Sequence, residues 1–310
     1  MELAPKRGRF GWLRRIEELD PERDCHTIHR ITAGHEFPWD YQRALEFALF
    51  RTYCVPSISG LLEKTGEFAN RPQKRYDDTS LLMAEMLEHG YDSERGRESL
   101  RTVNRMHARY AISNDDMLYV LSTFVYEPIE WIDTYGWRRL HPKERLAAYH
   151  FYRQVGVRMG IKDIPSYAEF ARFKLDYEER TFRYTEDNHK VGTYTLDLFC
   201  SWFPSALHPA VRRGVYALMD DRMAHAFGFP AGSPTVERMA VLGLRAKARA
   251  ERFMPTRTHS RTTDDGKNKT YPGYPGNYRP SDLGVIACPF PTASVETTAR
   301  PTAQHSVELR

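Results

Sequence analysis

Apolar residues recur along most of the chain at the three- and four-residue spacing of one helix face, which predicts amphipathic helices joined by short polar turns. No stretch before Phe253 alternates cleanly in the two-residue period of a strand. We therefore predict an all-α protein. Its predicted helices include residues 43–53, 58–64, 94–110, 117–135, 142–159, 165–182, 194–203, 209–227 and 235–252.

Turn and capping residues refine these boundaries. Asp77 or Asp78 is predicted to cap a further helix that ends at Gly90. Ser113 is predicted to cap the helix over 117–135, in which Pro128 predicts a kink. The stretches 70–74 and 186–189 are predicted to be loops.

The composition divides the chain into three parts. Residues 1–23 read as a polar lead-in and residues 24–252 as one helical domain. Residues 253–310 are rich in Pro, Gly and Thr and have little to bury, which predicts a mobile tail. The Tyr/Pro/Gly tract at 271–280 is the part of this tail that could lie over the core.

Charge and cysteine content narrow the function classes. The 45 basic and 41 acidic residues nearly balance, which argues against a nucleic-acid-binding protein. The four cysteines are widely separated, which is typical of a reducing compartment. The first residues carry no apolar signal region, and no apolar run is long enough to span a membrane. A cytoplasmic protein is expected.

One histidine, His107, falls on an apolar helix face built from Leu100, Val103, Met106 and Tyr110. On pattern alone, such a histidine is more often a hydrogen-bonded core residue than a ligand. The same helix carries Arg101, Arg105 and Arg109. A coordinating nitrogen on an apolar face, with cations beside it, also suits a porphyrin that bears anionic propionates.

A second pair of residues, Arg75 and Thr79, is four positions apart and therefore shares one helix face. The plain interpretation is a surface arginine in a first helical turn. Together with His107, the pair would supply what haem b needs, namely one strong ligand, an apolar slot and a few polar groups.

Other site types find less support. Cys25, His26, His29 and His35 match no standard zinc spacing. A di-iron bundle needs two Glu-x-x-His pairs, and the sequence has one, at 186–189. Glu85 and His89 share a helix face but lack a partner helix of the same kind. Glycine-rich phosphate loops and a GxSxG elbow are missing.

Four motifs in order resemble the rubber oxygenases (latex-clearing proteins) and mpaB-type oxygenases. They are Arg75-x-x-x-Thr79 and the segments 103–109, 112–124 and 149–161, and the resemblance covers roughly residues 24–229. It implies a globin-like helical domain that binds haem b, with His107 as the iron ligand and Arg75 and Thr79 as catalytic residues of the haem pocket. Asp78 stands where rubber oxygenases can have a lysine, and neither Glu63 nor Glu67 matches the family's glutamate base.

The resemblance further implies oxidation of an apolar, isoprenoid-like alkene by O2, with an electron donor as a further partner. Two alternatives stay open from the residues. The chain could bind haem as a sensor or carrier without turnover, or it could be a helical scaffold without a cofactor, in which His107 is a core residue.

Overall fold

The computed structural model describes residues 4–262, 269–271 and 278–284. Within these residues all regular elements are helical, so the all-α prediction is confirmed. The α-helices are α1 (Gly11–Ile16), α2 (Cys25–Arg30), α3 (Pro38–Thr52), α4 (Pro56–Thr65), α5 (Glu67–Asn70), α6 (Pro72–His89), α7 (Glu94–His107), α8 (Asn114–Tyr135), α9 (Pro142–Arg158), α10 (Tyr167–Thr181), α11 (Glu186–Ser201), α12 (His208–Leu218), α13 (Asp221–Phe227) and α14 (Pro234–Arg252). A π-helical segment, Ile31–Glu36, joins α2 to α3, and short 3-10 turns form at Ser205–Leu207 and Pro280–Asp282.

Several boundaries are where the sequence predicts them. The Ser113 side chain caps α8 by accepting from the Asp116 backbone N–H at 3.0 Å. Pro128 lies inside α8. Because proline has no N–H, the carbonyl oxygen of Phe124 loses its helical donor. Gly160 follows α9 with a φ of +77°, a conformation that favours glycine.

Several predicted boundaries are wrong. Helix α6 begins at Pro72, where proline suits the first helical position, so Asp77 and Asp78 lie buried inside the helix and do not cap it. Residues 186–189 are the first turn of α11, not a loop, because Thr185 caps them. The predicted helix over 209–227 is broken by Asp220, whose Oδ1 accepts from the Met223 N–H to start α13.

The two largest buried clusters of the described residues form most of the core. The larger one joins side chains of α1, α2, α8 and α9, including Trp12, Ile28, Val125 and Phe151. The smaller one gathers Phe50, Phe68, Val191 and Phe227 around the end of α3. Helix α3 packs on α8, α2 on α9, α6 on α7 and α11 on α4.

Both predicted flanking regions contribute to this packing where they are described. Trp12 and Ile16 of the 1–23 segment are buried in the larger cluster. Tyr278 and Leu283 of the 253–310 segment are buried against Leu81 of α6. The other predictions for the tail fall on residues 263–268, 272–277 and 285–310, which lie outside the described residues.

A buried ion network fastens the π-helical segment to α9. Arg138 Nη2 lies 2.9 Å from Glu36 Oε2, and its Nη1 lies 2.6 Å from Glu144 Oε2. Glu36 is 0% and Glu144 1% exposed. The Arg138 guanidinium therefore compensates the buried charge of Glu144 and shares that of Glu36 with Arg9, whose Nη1 lies 3.1 Å from Glu36 Oε1.

We expect Arg138→Met to lower the free energy of unfolding by about 3–5 kcal/mol, because the buried Glu144 loses the cation paired with it and Glu36 keeps only Arg9. Urea denaturation followed by circular dichroism measures the change. Arg139→Met, at the exposed neighbouring position, is the matched control and should change stability by less than about 0.5 kcal/mol. Equal effects of the two substitutions would contradict this account of the network.

Candidate functional site

A cavity of about 700 Å³ lies between α3, α6, α7, α8, α9 and α11. This volume is within the usual range of cofactor and small-molecule sites, about 300–1,000 Å³. Arg75, Thr79 and His107 all line it, so the structure brings the three predicted site residues together. The apolar lining includes Leu49, Met83, Met86, Phe124, Leu198 and Phe199.

His107 is the last residue of α7, three residues earlier than the predicted end of that helix. Its Nδ1 is buried and has no hydrogen-bond partner in the described part of the chain. Burial, and after it the positive charge of Arg75, lowers the pKa of His107 to about 4. The imidazole is therefore neutral at pH 7. A core histidine would normally be hydrogen-bonded, so this unpaired nitrogen calls for another explanation.

Arg75 and Thr79 lie one turn apart on the cavity-facing side of α6. Arg75 Nη1 donates to Thr79 Oγ1, and this hydroxyl donates to the Arg75 carbonyl oxygen at 3.1 Å. The guanidinium lies 5.8 Å from the Phe68 ring centroid, and no carboxylate among residues 4–262, 269–271 and 278–284 pairs with it. A half-buried guanidinium without a carboxylate is suited to bind an anionic group of a ligand.

The other predicted polar residues are distributed differently. Of the three arginines on the His107 helix segment, Arg109 lines the cavity, while Arg101 and Arg105 are exposed. Asp78 is held by the Lys74 ammonium group, with Nζ 2.7 Å from its Oδ2. Glu67 lines the cavity and forms an ion pair with Arg71.

Part of the C-terminal segment, which the composition predicts to be a mobile tail, contributes to the site. Arg261, Thr262 and Gly284 line the cavity. The buried Asp77 carboxylate accepts the backbone N–H groups of Lys269 at 3.2 Å and Thr270 at 2.8 Å. In the sequence, the tyrosines of the 271–280 tract were the feature that indicated packing of this segment against the domain, because tyrosine rings are largely apolar.

A buried hydrogen-bond chain that the sequence did not reveal also reaches the cavity. His29 Nε2 lies 3.0 Å from the Tyr41 hydroxyl, which lies 2.6 Å from the Tyr152 hydroxyl. Both tyrosines line the cavity. Burial lowers the pKa of His29 to about 3, so this imidazole is neutral as well. The two tyrosine hydroxyls of this hydrogen-bond chain thus belong to residues of the cavity wall, as do the polar groups of the three predicted site residues.

Several of the histidine and cysteine side chains that were considered as ligands of other metal sites each form a hydrogen bond with a different residue. His26 Nε2 lies 2.8 Å from the Leu87 carbonyl oxygen, and Cys25 Sγ lies 3.6 Å from the Tyr91 hydroxyl. His189 Nδ1 lies 2.8 Å from the Phe227 carbonyl oxygen. Among the described residues, no three His, Cys, Asp or Glu side chains converge as metal ligands.

The described residues form an all-helical protein with a cavity whose lining is largely apolar. Residues 48–253 match the family described as "ER-bound oxygenase mpaB/B'/Rubber oxygenase, catalytic domain". The chain belongs to this family of oxygenase catalytic domains.

Relatives in Penicillium show the same relationship. The chain is 31% identical to "ER-bound oxygenase mpaB'" of Penicillium brevicompactum over 69% of its own length and 55% of the relative's. It is 31% identical to "ER-bound oxygenase mpaB" of Penicillium roqueforti (strain FM164), over 66% of this chain and 75% of that protein. The chain thus spans about half the length of the first relative. Within the described residues, no helix has the length and apolar character needed to cross a membrane.

We expect Asp77→Ala to release the 269–271 segment from α6, because two backbone N–H groups lose a carboxylate acceptor. Hydrogen bonds to a charged group contribute about 1.5–3 kcal/mol, so the Lys269 and Thr270 amides should exchange at least about tenfold faster. Hydrogen–deuterium exchange read by mass spectrometry measures this. Asp176→Ala, at an exposed position, is the control. Unchanged exchange in the Asp77 variant would show that the carboxylate does not hold this segment.

Proposed function

We propose that the chain is a haem b-dependent oxygenase that cleaves a carbon–carbon double bond of an apolar, isoprenoid-like substrate with O2. The observation that carries the proposal is the neutral imidazole of His107, whose buried Nδ1 has no partner, in the wall of a largely apolar cavity. Membership of an oxygenase family supports the reaction class. We also propose that the protein is located in the cytoplasm.

The residues present fit a haem group. His107 would hold the iron, since a neutral imidazole is a strong iron ligand. Arg75 would meet an anionic propionate, because its guanidinium lies in the cavity wall without a carboxylate partner. When bound, haem supplies the redox-active iron at which O2 is activated.

The chain's own residues would then control the reaction environment. The leucine, methionine and phenylalanine side chains of the cavity would exclude water and hold an apolar alkene. Thr79 would be kept in one orientation by its two hydrogen bonds to Arg75. Cleavage of the C=C bond by one O2 places one oxygen atom in each of two carbonyl products, so the overall reaction consumes no electrons. An external donor is required only to bring ferric iron to the ferrous state.

We expect His107→Ala to abolish stoichiometric haem binding, because it removes the proposed iron ligand. Titration of the full-length protein with haemin, followed by the Soret band, measures binding. His225→Ala, at an exposed histidine, should bind haem like the parent chain. Normal binding by the His107 variant would refute the ligand assignment, and no binding by the parent chain would refute the haem proposal itself.

The acid dependence of haem binding provides a second test. Proton competition for the imidazole should begin only near its folded pKa of about 4, not near the ordinary value of 6.5. The Soret spectrum is therefore expected to be constant between about pH 7 and pH 5 and to change on further acidification. Circular dichroism on the same samples separates release of haem from unfolding. Loss of haem with a midpoint near pH 6.5 would contradict the expectation.

Turnover separates an oxygenase from a carrier or sensor. The reduced, haem-loaded protein should consume one O2 for each alkene cleaved, measured with an oxygen electrode and by mass spectrometry of carbonyl products from model isoprenoids. With ¹⁸O2, each of the two carbonyl products is expected to carry one ¹⁸O atom. Haem binding without O2 consumption across a range of alkenes would favour the carrier.

A further inference from the structure

Helix α14 is attached to the domain by one side only. Ala248 and Glu251 are its buried residues, and Lys247 Nζ lies 2.7 Å from Asp40 Oδ2 at the start of α3. On the opposite side, Met239 is 68% and Leu242 64% exposed. These exposed fractions are high for large apolar side chains, which are mostly buried in folded proteins.

The exposed positions of α14 are ordered into two rows. At 100° per residue, one stripe faces away from the domain and contains Met239, Leu242, Ala246, Ala250 and Phe253. Phe253 ends the helix and is 87% exposed. A row of arginines runs along one flank of this stripe, formed by Arg238, Arg245, Arg249 and Arg252. We refer to the stripe and the row together as the α14 surface.

The arginine row carries uncompensated charge. All four side chains belong to exposed residues, and none forms an ion pair within the described part of the chain. Two acidic residues lie on α14. Glu251 is buried and paired with Lys247, which leaves Glu237 as the exposed acid of the helix. The α14 surface therefore joins an apolar stripe to a strongly positive edge.

We propose that the α14 surface docks the protein on membranes that contain anionic lipids. A helix lying in the plane of a membrane buries its apolar stripe at the boundary of headgroups and acyl chains. Its basic residues then meet the anionic headgroups, and each adds to the attraction. The apolar stripe would therefore contact the acyl chains, and the adjacent arginine row would contact the anionic headgroups.

The charge pattern favours lipid over other occupants. A second copy of the chain would bring a second arginine row against the first, and like charges repel. Residues 285–310 contain two glutamates and two arginines, so they offer no net negative charge to this surface. A nucleic acid would meet the arginines but would leave Met239, Leu242 and Phe253 without apolar partners.

The domain-facing side of α14 lies beside the start of α3, which contributes residues to the cavity lining. Lys247 Nζ is 4.1 Å from the ring centroid of Trp39, which is 42% exposed. The neighbouring residues Pro38 and Tyr41 line the cavity. If the proposed function holds, docking would bring the site close to a phase in which apolar substrates dissolve. The docking itself does not depend on that function.

Sedimentation of the full-length protein with vesicles tests the proposal. We expect binding to vesicles of phosphatidylcholine with about 30% phosphatidylserine, little binding to phosphatidylcholine alone, and weakening as salt screens the charges. Leu242→Asp with Phe253→Asp should lower the fraction bound at least about tenfold. Arg245→Gln and Arg249→Gln should each lower the apparent affinity about fivefold.

Leu175→Asp is the matched control, because Leu175 is 51% exposed on α10, and it should bind vesicles like the parent chain. Melting curves and haem titration of each variant show whether folding and the cavity are intact. Equal binding to neutral and anionic vesicles, or unchanged binding by the α14 variants, would overturn the proposal. So would sedimentation velocity showing a dimer that Leu242→Asp dissociates, since a second copy would then cover the surface.

Discussion

The buried carboxylate of Glu85 connects the parts of the chain that build the candidate site. It lies on α6, is 0% exposed, and accepts from Arg95 of α7 at 2.6 and 2.7 Å. The Tyr278 hydroxyl of the C-terminal segment donates to it at 3.1 Å. Because an uncompensated buried charge would cost several kcal/mol, these elements are constrained to stay together. Arg75 on α6 and His107 at the end of α7 depend on that arrangement.

The cavity contrasts with the ionic clusters elsewhere in the domain. Arg51 is fully engaged, with its guanidinium 2.6 Å from both Glu178 and Asp220. In the cavity wall, Arg75 faces no carboxylate in the described part of the chain, and the His107 Nδ1 has no partner there. Since buried polar groups are normally paired, these two groups support the proposal that a ligand binds in the cavity.

The errors in the predicted helices have a common cause. Short polar residues can either cap a helix or make long-range contacts: Asp77 and Asp78 were predicted as caps but lie inside α6, whereas Thr185 and Asp220 cap helices that were not predicted to begin there. Asp77 lies inside α6 and binds the backbone at 269–270, nearly two hundred residues later. Asp220 does start a helix, but its other oxygen also binds Arg51 of α3. Local sequence does not distinguish a cap from such a tertiary contact.

The sequence by itself determined the all-α class, most helices and three of the residues that line the cavity, because helical periodicity and short motifs are local properties of a chain. That the buried Nδ1 of His107 has no hydrogen-bond partner in the described part of the chain could be seen only in the tertiary structure. The same holds for the polar chain through His29, Tyr41 and Tyr152 and for the C-terminal segment in the cavity wall. Both features bring together residues that are far apart in the sequence, and local spacing along the chain does not predict such contacts.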